Sequence, residues 1–242
     1  MERRNSQWTG AEREYDTRRR ELLSNLEFSA YVDDATLFMK RQRVTDFLTR
    51  TELFKRVRDV PGAIVECGVH KGGSLMLFHH LSAILEPYAV ARRIIGFDTF
   101  EGFQSLSSND PAGLSSKMFS DTSDNLIQSA IELADMNRAA GHVPRCEIVK
   151  GDATKTIPQY CTQHPELIIA LLYLDFDIYE PTSVALMNLL PLVPRGGIVV
   201  FDELNTAKWA GETLAFKEAI SVSAVKLERF YWDPWPCFFV VS

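Results

Sequence analysis

From Ala63 onward the chain alternates between short strand-like runs, most of them apolar, and longer stretches with helical periodicity, and few folds accept that rhythm. The runs fall at 63–67, 93–97, 145–149, 168–174 and 197–201, and the helical stretches at 73–86, 123–140, 153–163, 180–192 and 210–220. A strand covered on both faces reads as a continuous Val/Ile/Leu run, because each successive side chain meets one layer of helices or the other. Such strand–helix–strand units close by right-handed crossovers into a parallel, doubly wound sheet. The pattern changes near the C-terminus, where V-K-L-E-R-F-Y-W and C-F-F-V-V-S are joined by Asp233-Pro234-Trp235-Pro236. That link is too short for a crossover helix, so a hairpin and one antiparallel strand are expected. The fold class is α/β: a doubly wound, mostly parallel seven-stranded sheet ending in an antiparallel hairpin, preceded by N-terminal helices.

Those helices are read at 12–28, with Leu22, Leu23 and Leu26 on one side, and at 35–58. The second places Leu37, Phe38, Val44, Phe47, Leu48, Leu53, Phe54 and Val57 at mostly three- and four-residue steps, the spacing of a face that leans on something. Pro61-Gly62 ends the region. We expect a helical appendage or cap at 1–60 and the main domain at 61–242.

Net charge is −6, and residues 1–60 carry 13 Lys and Arg against 11 Asp and Glu, so the acidity lies in the remainder. An acidic main domain repels a phosphate backbone, so nucleic acid is not an expected partner. The four cysteines, Cys67, Cys146, Cys161 and Cys237, show neither C-x-x-C nor paired Cys/His spacing. Buried reduced thiols are expected rather than a zinc site or disulfide framework. The N-terminus lacks an apolar signal core, and no run approaches the ~18–20 apolar residues of a membrane span. The expected location is cytoplasmic, away from membranes, and a homo-oligomer is left open.

Each apolar run delivers a distinctive residue to its carboxyl end, where open α/β sheets bind ligands. Glu66-x-Gly68-x-x-x-Gly72-Gly73 follows the first run and opens a helix. Glycines there let backbone approach a ligand, and the helix start offers free N–H donors, although a plain strand-to-helix turn has the same composition. Asp98, after the second run, suits a ribose diol or a helix cap. Asp152, after the third, reads as a contact near adenine or as the cap of the helix from Thr154. Asp175, Asp177, Asp202 and Glu203 close two successive runs. Carboxylates crowded together repel unless a cation compensates, and hard oxygen ligands suit Mg²⁺ or a similar divalent ion; scattered caps are the alternative. His70, beside the glycine turn, is a candidate proton acceptor. The long polar stretch between Phe100 and Thr122 is read as a lid, with an idle insertion as the alternative.

Taken in order, V-E-C-G-V-H-K-G-G, G-F-D-T-F-E-G-F, K-G-D-A, L-D-F-D-I-Y-E-P-T and P-R-G-G-I-V-V-F-D-E resemble the macrocin O-methyltransferase family over roughly residues 60–220. More distantly the chain is similar to catechol O-methyltransferase. The resemblance implies a Rossmann-like fold, S-adenosylmethionine as methyl donor, a divalent ion such as Mg²⁺, and a small-molecule hydroxyl acceptor, a sugar of a natural product. It places Glu66, Gly68, Lys71, Gly72, Gly73 and Ser74 around the methionine part of the donor. It places Asp98 and Thr99 at the ribose and Asp152 and Ala153 near the adenine, and counts Asp175 among the donor-binding residues. Asp175, Asp202 and Glu203 fall where the family binds its ion, and Asp175 also where its general base lies. The second metal acid is usually Asp, and here it is Glu203.

Two rival readings remain at this stage. L-D-F-D-I-Y is similar to the D-x-D of haloacid-dehalogenase-like phosphotransferases, whose first Asp is a nucleophile. A cofactor-binding protein altered in catalysis would keep the donor motifs without metal dependence.

Overall fold

A computed structural model describes residues 10–24, 27 and 35–242. They fall into two compact units, one ending at Asp46 and the other running Phe47–Ser242. The first holds α1 (Gly10–Ser24), α2 (Ala35–Phe38) and the start of α3 (Arg41–Val57). The reading of one helix over 35–58 is corrected to two, with a break at Met39-Lys40. The end of the stretch read at 12–28, including Leu26, lies outside the described residues. Leu37, Val44 and Leu48 are exposed, and the burial in α3 falls on Leu53, Phe54 and Val57.

The second unit is built on seven strands: β1 (Ala63–Cys67), β2 (Ile94–Asp98), β3 (Cys146–Lys150), β4 (Ile169–Leu174), β5 (Ile198–Phe201), β6 (Glu228–Phe230) and β7 (Asp233–Val240). Between them lie α4 (Gly73–Leu85), α5 (Asp124–Asp135), α6 (Ala153–Gln163), α7 (Tyr179–Leu189) and α8 (Ala210–Ala219). The sheet order is β3-β2-β1-β4-β5-β7-β6. The first five strands are mutually parallel and β7 is antiparallel to both neighbours, as the sequence implies.

Alternate residues of each strand enter opposite cores. Val65, Ile95, Leu172 and Val199 pack with Ile157 of α6, Leu186 and Leu189 of α7 and Phe216 of α8. Ile64, Ile94, Leu171 and Ile198 pack with Leu53 and Phe54 of α3, Leu75 and Phe78 of α4 and Ile127 and Ile131 of α5. Each such side chain contributes roughly 1.5–3 kcal/mol by leaving water. Truncating one, Phe54→Ala for example, costs about 3–5 kcal/mol because the helix cannot close over the void.

Two boundaries depart from the sequence reading. The helix expected to 140 stops at Asp135, because the fully buried Arg138 side chain gathers the carbonyls of Ala139, Ala140 and Val143 into a turn. The hairpin link is Tyr231-Trp232, and Asp233-Pro234-Trp235-Pro236 belongs to β7. The prolines are tolerated because β7 meets β5 only from Cys237 onward, so the missing N–H groups leave no gap in that ladder.

The register aligns the carboxyl ends that matter. One further backbone bond continues the ladder past each strand: Gly68 N–H to Phe97 O, Gly151 N–H to Asp98 O, Asp175 N–H to Cys67 O and Asp202 N–H to Leu174 O, all at 2.8–3.0 Å. The residues singled out in the sequence are thereby fixed along one edge.

Candidate functional site

Gly68 adopts φ 99°, and a Cβ there would strike the carbonyl of Asp175, so only glycine lets the β1 and β4 backbones come this close. Gly72, at φ 78°, caps the start of α4, and Gly73 is its first residue. Asp98 binds this turn, its Oδ2 accepting from His70 N–H at 2.7 Å and its Oδ1 from Phe100 N–H at 2.6 Å. Each carboxylate oxygen has two lone pairs, so capacity remains for a diol. The neighbouring Thr99 hydroxyl donates to Gly102 O at 2.6 Å and accepts from Glu101 N–H, shaping the turn after β2.

Asp152 caps α6: its Oδ1 accepts from Thr154 N–H at 3.0 Å and from the Thr154 hydroxyl at 2.7 Å. The cap reading of this residue therefore holds, on the edge where it was also read as a nucleoside contact. Ala153 behind it is buried.

Glu66 is buried at the end of β1, its Oε2 has no hydrogen-bond partner, and burial pushes its carboxyl up to about 7. A hydrogen bond from Ser74 and the charge of Arg50 pull the other way, while Asp98 and Asp202 add to the rise. Arg50 reaches this place from α3, its Nε donating to Ser74 Oγ at 2.5 Å and its guanidinium lying 4.8 Å above the Tyr173 ring. The Tyr173 hydroxyl donates to Asp202 Oδ1 at 2.6 Å.

Asp175 and Asp202 extend neighbouring strands paired through Leu174 and Phe201. Asp177, at φ 65°, and Glu203 are buried close by. A fifth acid joins them: Glu212 of α8 is 0% exposed, accepts from Glu203 N–H at 3.1 Å through Oε1, and has no partner for Oε2. Burial, then the negative charges of Asp175, Asp202 and Asp177, push its carboxyl far above the ordinary range. Among the described residues no group of three or more His, Cys, Asp or Glu is arranged to hold a metal ion. Asp175, Asp202 and Glu203 thus share an edge without closing on one point.

The segment after Phe100 crosses this edge and is pinned at several places. Ser105 donates to Asp152 at 3.2 Å, and Asp110 accepts the first N–H of α7, from Tyr179, at 2.7 Å. Gly211 packs against that Asp110 carboxylate with no room for a side chain. Phe119 lies edge-on to His70 and to Phe103, beside the buried Trp209. Asp121 takes His70 Nε2 at 3.0 Å and Lys71 Nζ at 2.5 Å, which holds its own carboxyl well below the usual range. Lys71 and His70 are therefore engaged with this segment.

Sequence reasoning missed Arg50 and Glu212. Both signals were present, for Arg50 sits on the stripe of Leu53, Phe54 and Val57, and Glu212 on that of Ala215 and Phe216. A charge inside an apolar helical stripe is buried by the packing of its neighbours.

A family model described as macrocin-O-methyltransferase (TylF) matches residues 3–228. The 8-demethyl-8-(2,3-dimethoxy-alpha-L-rhamnosyl)-tetracenomycin-C 4'-O-methyltransferase of Streptomyces olivaceus is 30% identical over 147 residues, 60% of this chain and 53% of that protein. The demethyldecarbamoylnovobiocin O-methyltransferase of Streptomyces niveus is 29% identical over 148 residues, with the same coverage. The match thus spans about half the length of these relatives. The crystal structure of CalS11, a calicheamicin methyltransferase, superposes with a TM-score of 0.90 at 34% identity, covering 96% of this chain and 93% of that one.

Proposed function

Because this chain belongs to the macrocin-O-methyltransferase (TylF) family, we propose that it transfers the methyl group of S-adenosylmethionine to a hydroxyl of a small molecule, a sugar of a natural product. The observation that carries the reading is the single edge on which Glu66, Gly68, Asp98, Asp152, Asp175 and Asp202 meet. The donor's requirements fit what is there. The glycine turn leaves no Cβ between β1 and β4, and the unpartnered Glu66 oxygen is a buried acceptor for an ammonium group. A sugar acceptor is supported by relatives whose names include a rhamnosyl compound and, for an apo structure of CalS11, TDP-rhamnose.

When bound, S-adenosylmethionine supplies an electrophilic methyl group on a sulfonium. The residues of this chain orient and protect the reactants. Glu66 holds the ammonium of the donor, Asp98 the ribose, and the backbone around Gly68, Gly72 and Gly73 the remainder of its amino-acid end. Asp152 and Ala153 border the adenine, with Asp152 keeping its role as helix cap. Asp175 takes the proton of the acceptor hydroxyl as it attacks, and fixing the two reactants in line supplies much of the acceleration. The segment pinned by Asp110, Phe119 and Asp121 excludes water.

The finer reading is that Asp175, Asp202 and Glu203, joined by the nearby Glu212, hold a divalent cation such as Mg²⁺. The donor chemistry fits, since all are hard carboxylates whose mutual repulsion a dication would relieve. A bound cation would acidify the acceptor hydroxyl. A donor-binding protein altered in catalysis is a second reading, favoured by the lack of a preassembled three-acid group among the described residues. The phosphotransferase reading is dropped: Asp175 and Asp177 follow the fourth strand of a chain whose family is a different one.

Incubation with methyl-labelled S-adenosylmethionine and a panel of nucleotide-linked deoxysugars, glycosides and catechols, followed by mass spectrometry, tests the proposal. Transfer of the labelled methyl group to a sugar hydroxyl is the expected result. Donor binding without transfer to any member of the panel, with and without Mg²⁺, would favour the altered protein.

A further inference from the structure

Tyr173 is the one residue of β4, I-A-L-L-Y-L, whose side chain carries a polar atom, and it is fully buried. A buried tyrosine packs through its ring and needs a partner for its hydroxyl. The register sets it beside Glu66 of β1 and Val200 of β5, on the sheet face that α3 and α4 cover. The ring is held there from two sides, by the Arg50 guanidinium 4.8 Å from its centre and by the Phe78 ring of α4 at 6.3 Å. Its hydroxyl donates to Oδ1 of Asp202, just beyond the end of β5, at 2.6 Å, the length of a hydroxyl bound to a carboxylate. The backbone of Asp202 is fixed by its bond to Leu174 O, but a carboxylate so placed still turns about its side-chain torsions. A bond to a ring that cannot move gives that rotation a fixed point.

We propose that Tyr173 is a positioning residue for the divalent cation: its hydroxyl aims the Asp202 carboxylate so that Asp202, Asp175 and Glu203 can share one ion. The inference rests on the cation reading above and adds to it a residue of the core, one that precedes the L-D-F-D-I-Y-E-P-T motif. Carboxylates that bind metals are themselves oriented by hydrogen bonds from a surrounding layer, and Mg²⁺ is strict about the geometry of its ligands. Among the described residues the acids do not already meet around a point. Closure on an ion therefore needs some of them to turn while another holds still, and Asp202 is the acid tied to a rigid ring. If the bond served only to satisfy a buried tyrosine, its loss would act on the fold and on every ligand alike.

Tyr173→Phe deletes the hydroxyl and keeps the ring beside Arg50. Binding of Mn²⁺ to the full chain, followed by loss of the free-ion signal in electron paramagnetic resonance, should weaken about 10- to 100-fold in this variant, while S-adenosylhomocysteine, measured by calorimetry in chelator, stays within about twofold of the wild type. Asp202→Asn supplies the reference. Adding Tyr173→Phe to it should cost no further Mn²⁺ affinity, because the hydroxyl acts only through that carboxylate. Circular dichroism confirms the fold of each protein. A Tyr173→Phe protein that binds Mn²⁺ as the wild type does overturns the proposal, and so does one that loses both ligands alike. Additive losses in the double variant overturn it as well. A wild type that takes up no Mn²⁺ at millimolar concentration removes the cation reading and this proposal with it, a failure seen before any variant is made.

Discussion

Glu66→Gln isolates the electrostatic burden carried by the site before the donor arrives. Burial moves this carboxyl from its ordinary 4.5 to about 7, which corresponds to about 3 kcal/mol between the two protonation states. The folded-state value is raised, so the native protein binds the proton more tightly than the unfolded chain does. The stability from Glu66 is full below pH 4.5, declines as pH rises, and is gone above about pH 7. Between pH 5.5 and 8.5, about 2 kcal/mol of that decline remains to be seen. Glutamine has no charge to bury, so the variant should gain on the wild type by about 2 kcal/mol over this interval, or roughly 4–8 °C in melting temperature for a chain of this size. Chemical denaturation of both proteins at the two pH values, without donor, measures the difference, and comparing across pH cancels any effect of the amide itself. An advantage for the variant that stays constant, or that shrinks as pH rises, would show that Glu66 is not held as a strained buried acid.

Asp175→Asn should lower methyl transfer by about 10²- to 10⁴-fold, the usual contribution of a positioned base, while calorimetry shows S-adenosylhomocysteine still bound. Gly68→Ala forces a methyl group into the Asp175 carbonyl and should abolish donor binding with a loss of at least several degrees in thermal stability, read by calorimetry and circular dichroism. Chelation with EDTA should reduce transfer at least tenfold and Mg²⁺ or Mn²⁺ should restore it; full activity in chelator would remove the cation from the account. His79 is buried 3.2 Å from Asp135, and burial lowers its ring to about 4, so the folded state refuses a proton that the unfolded chain accepts. Stability should therefore fall by up to about 3 kcal/mol as pH drops from 6.5 to 4, a slope that His79→Gln flattens in urea titrations.

The parallel core was legible because a strand covered on both faces is apolar along its length, as β4 and β5 are and as β1 is up to Glu66. Their acidic ends were legible for the complementary reason, since polar residues directly after such runs can only sit at the sheet edge. The hairpin link was misplaced because Pro234 and Pro236 read as turn residues, and only the register with β5 shows that their missing N–H groups cost nothing there. Arg50 and Glu212 were not seen because charges on an otherwise apolar stripe look like solvated faces until the neighbouring layer is in place. The convergence of Asp110, Phe119 and Asp121 on the edge was equally hidden, for a polar loop carries no periodicity that tells where it lands.

Whether this one edge houses the methyl donor is decided by a crystal structure with S-adenosylhomocysteine. The ammonium is expected on Glu66, the ribose hydroxyls on Asp98, the adenine beside Asp152 and Ala153, and the sulfur directed toward Asp175. The nucleoside lying anywhere else, or the Glu66 carboxylate facing no part of the ligand, would contradict this placement.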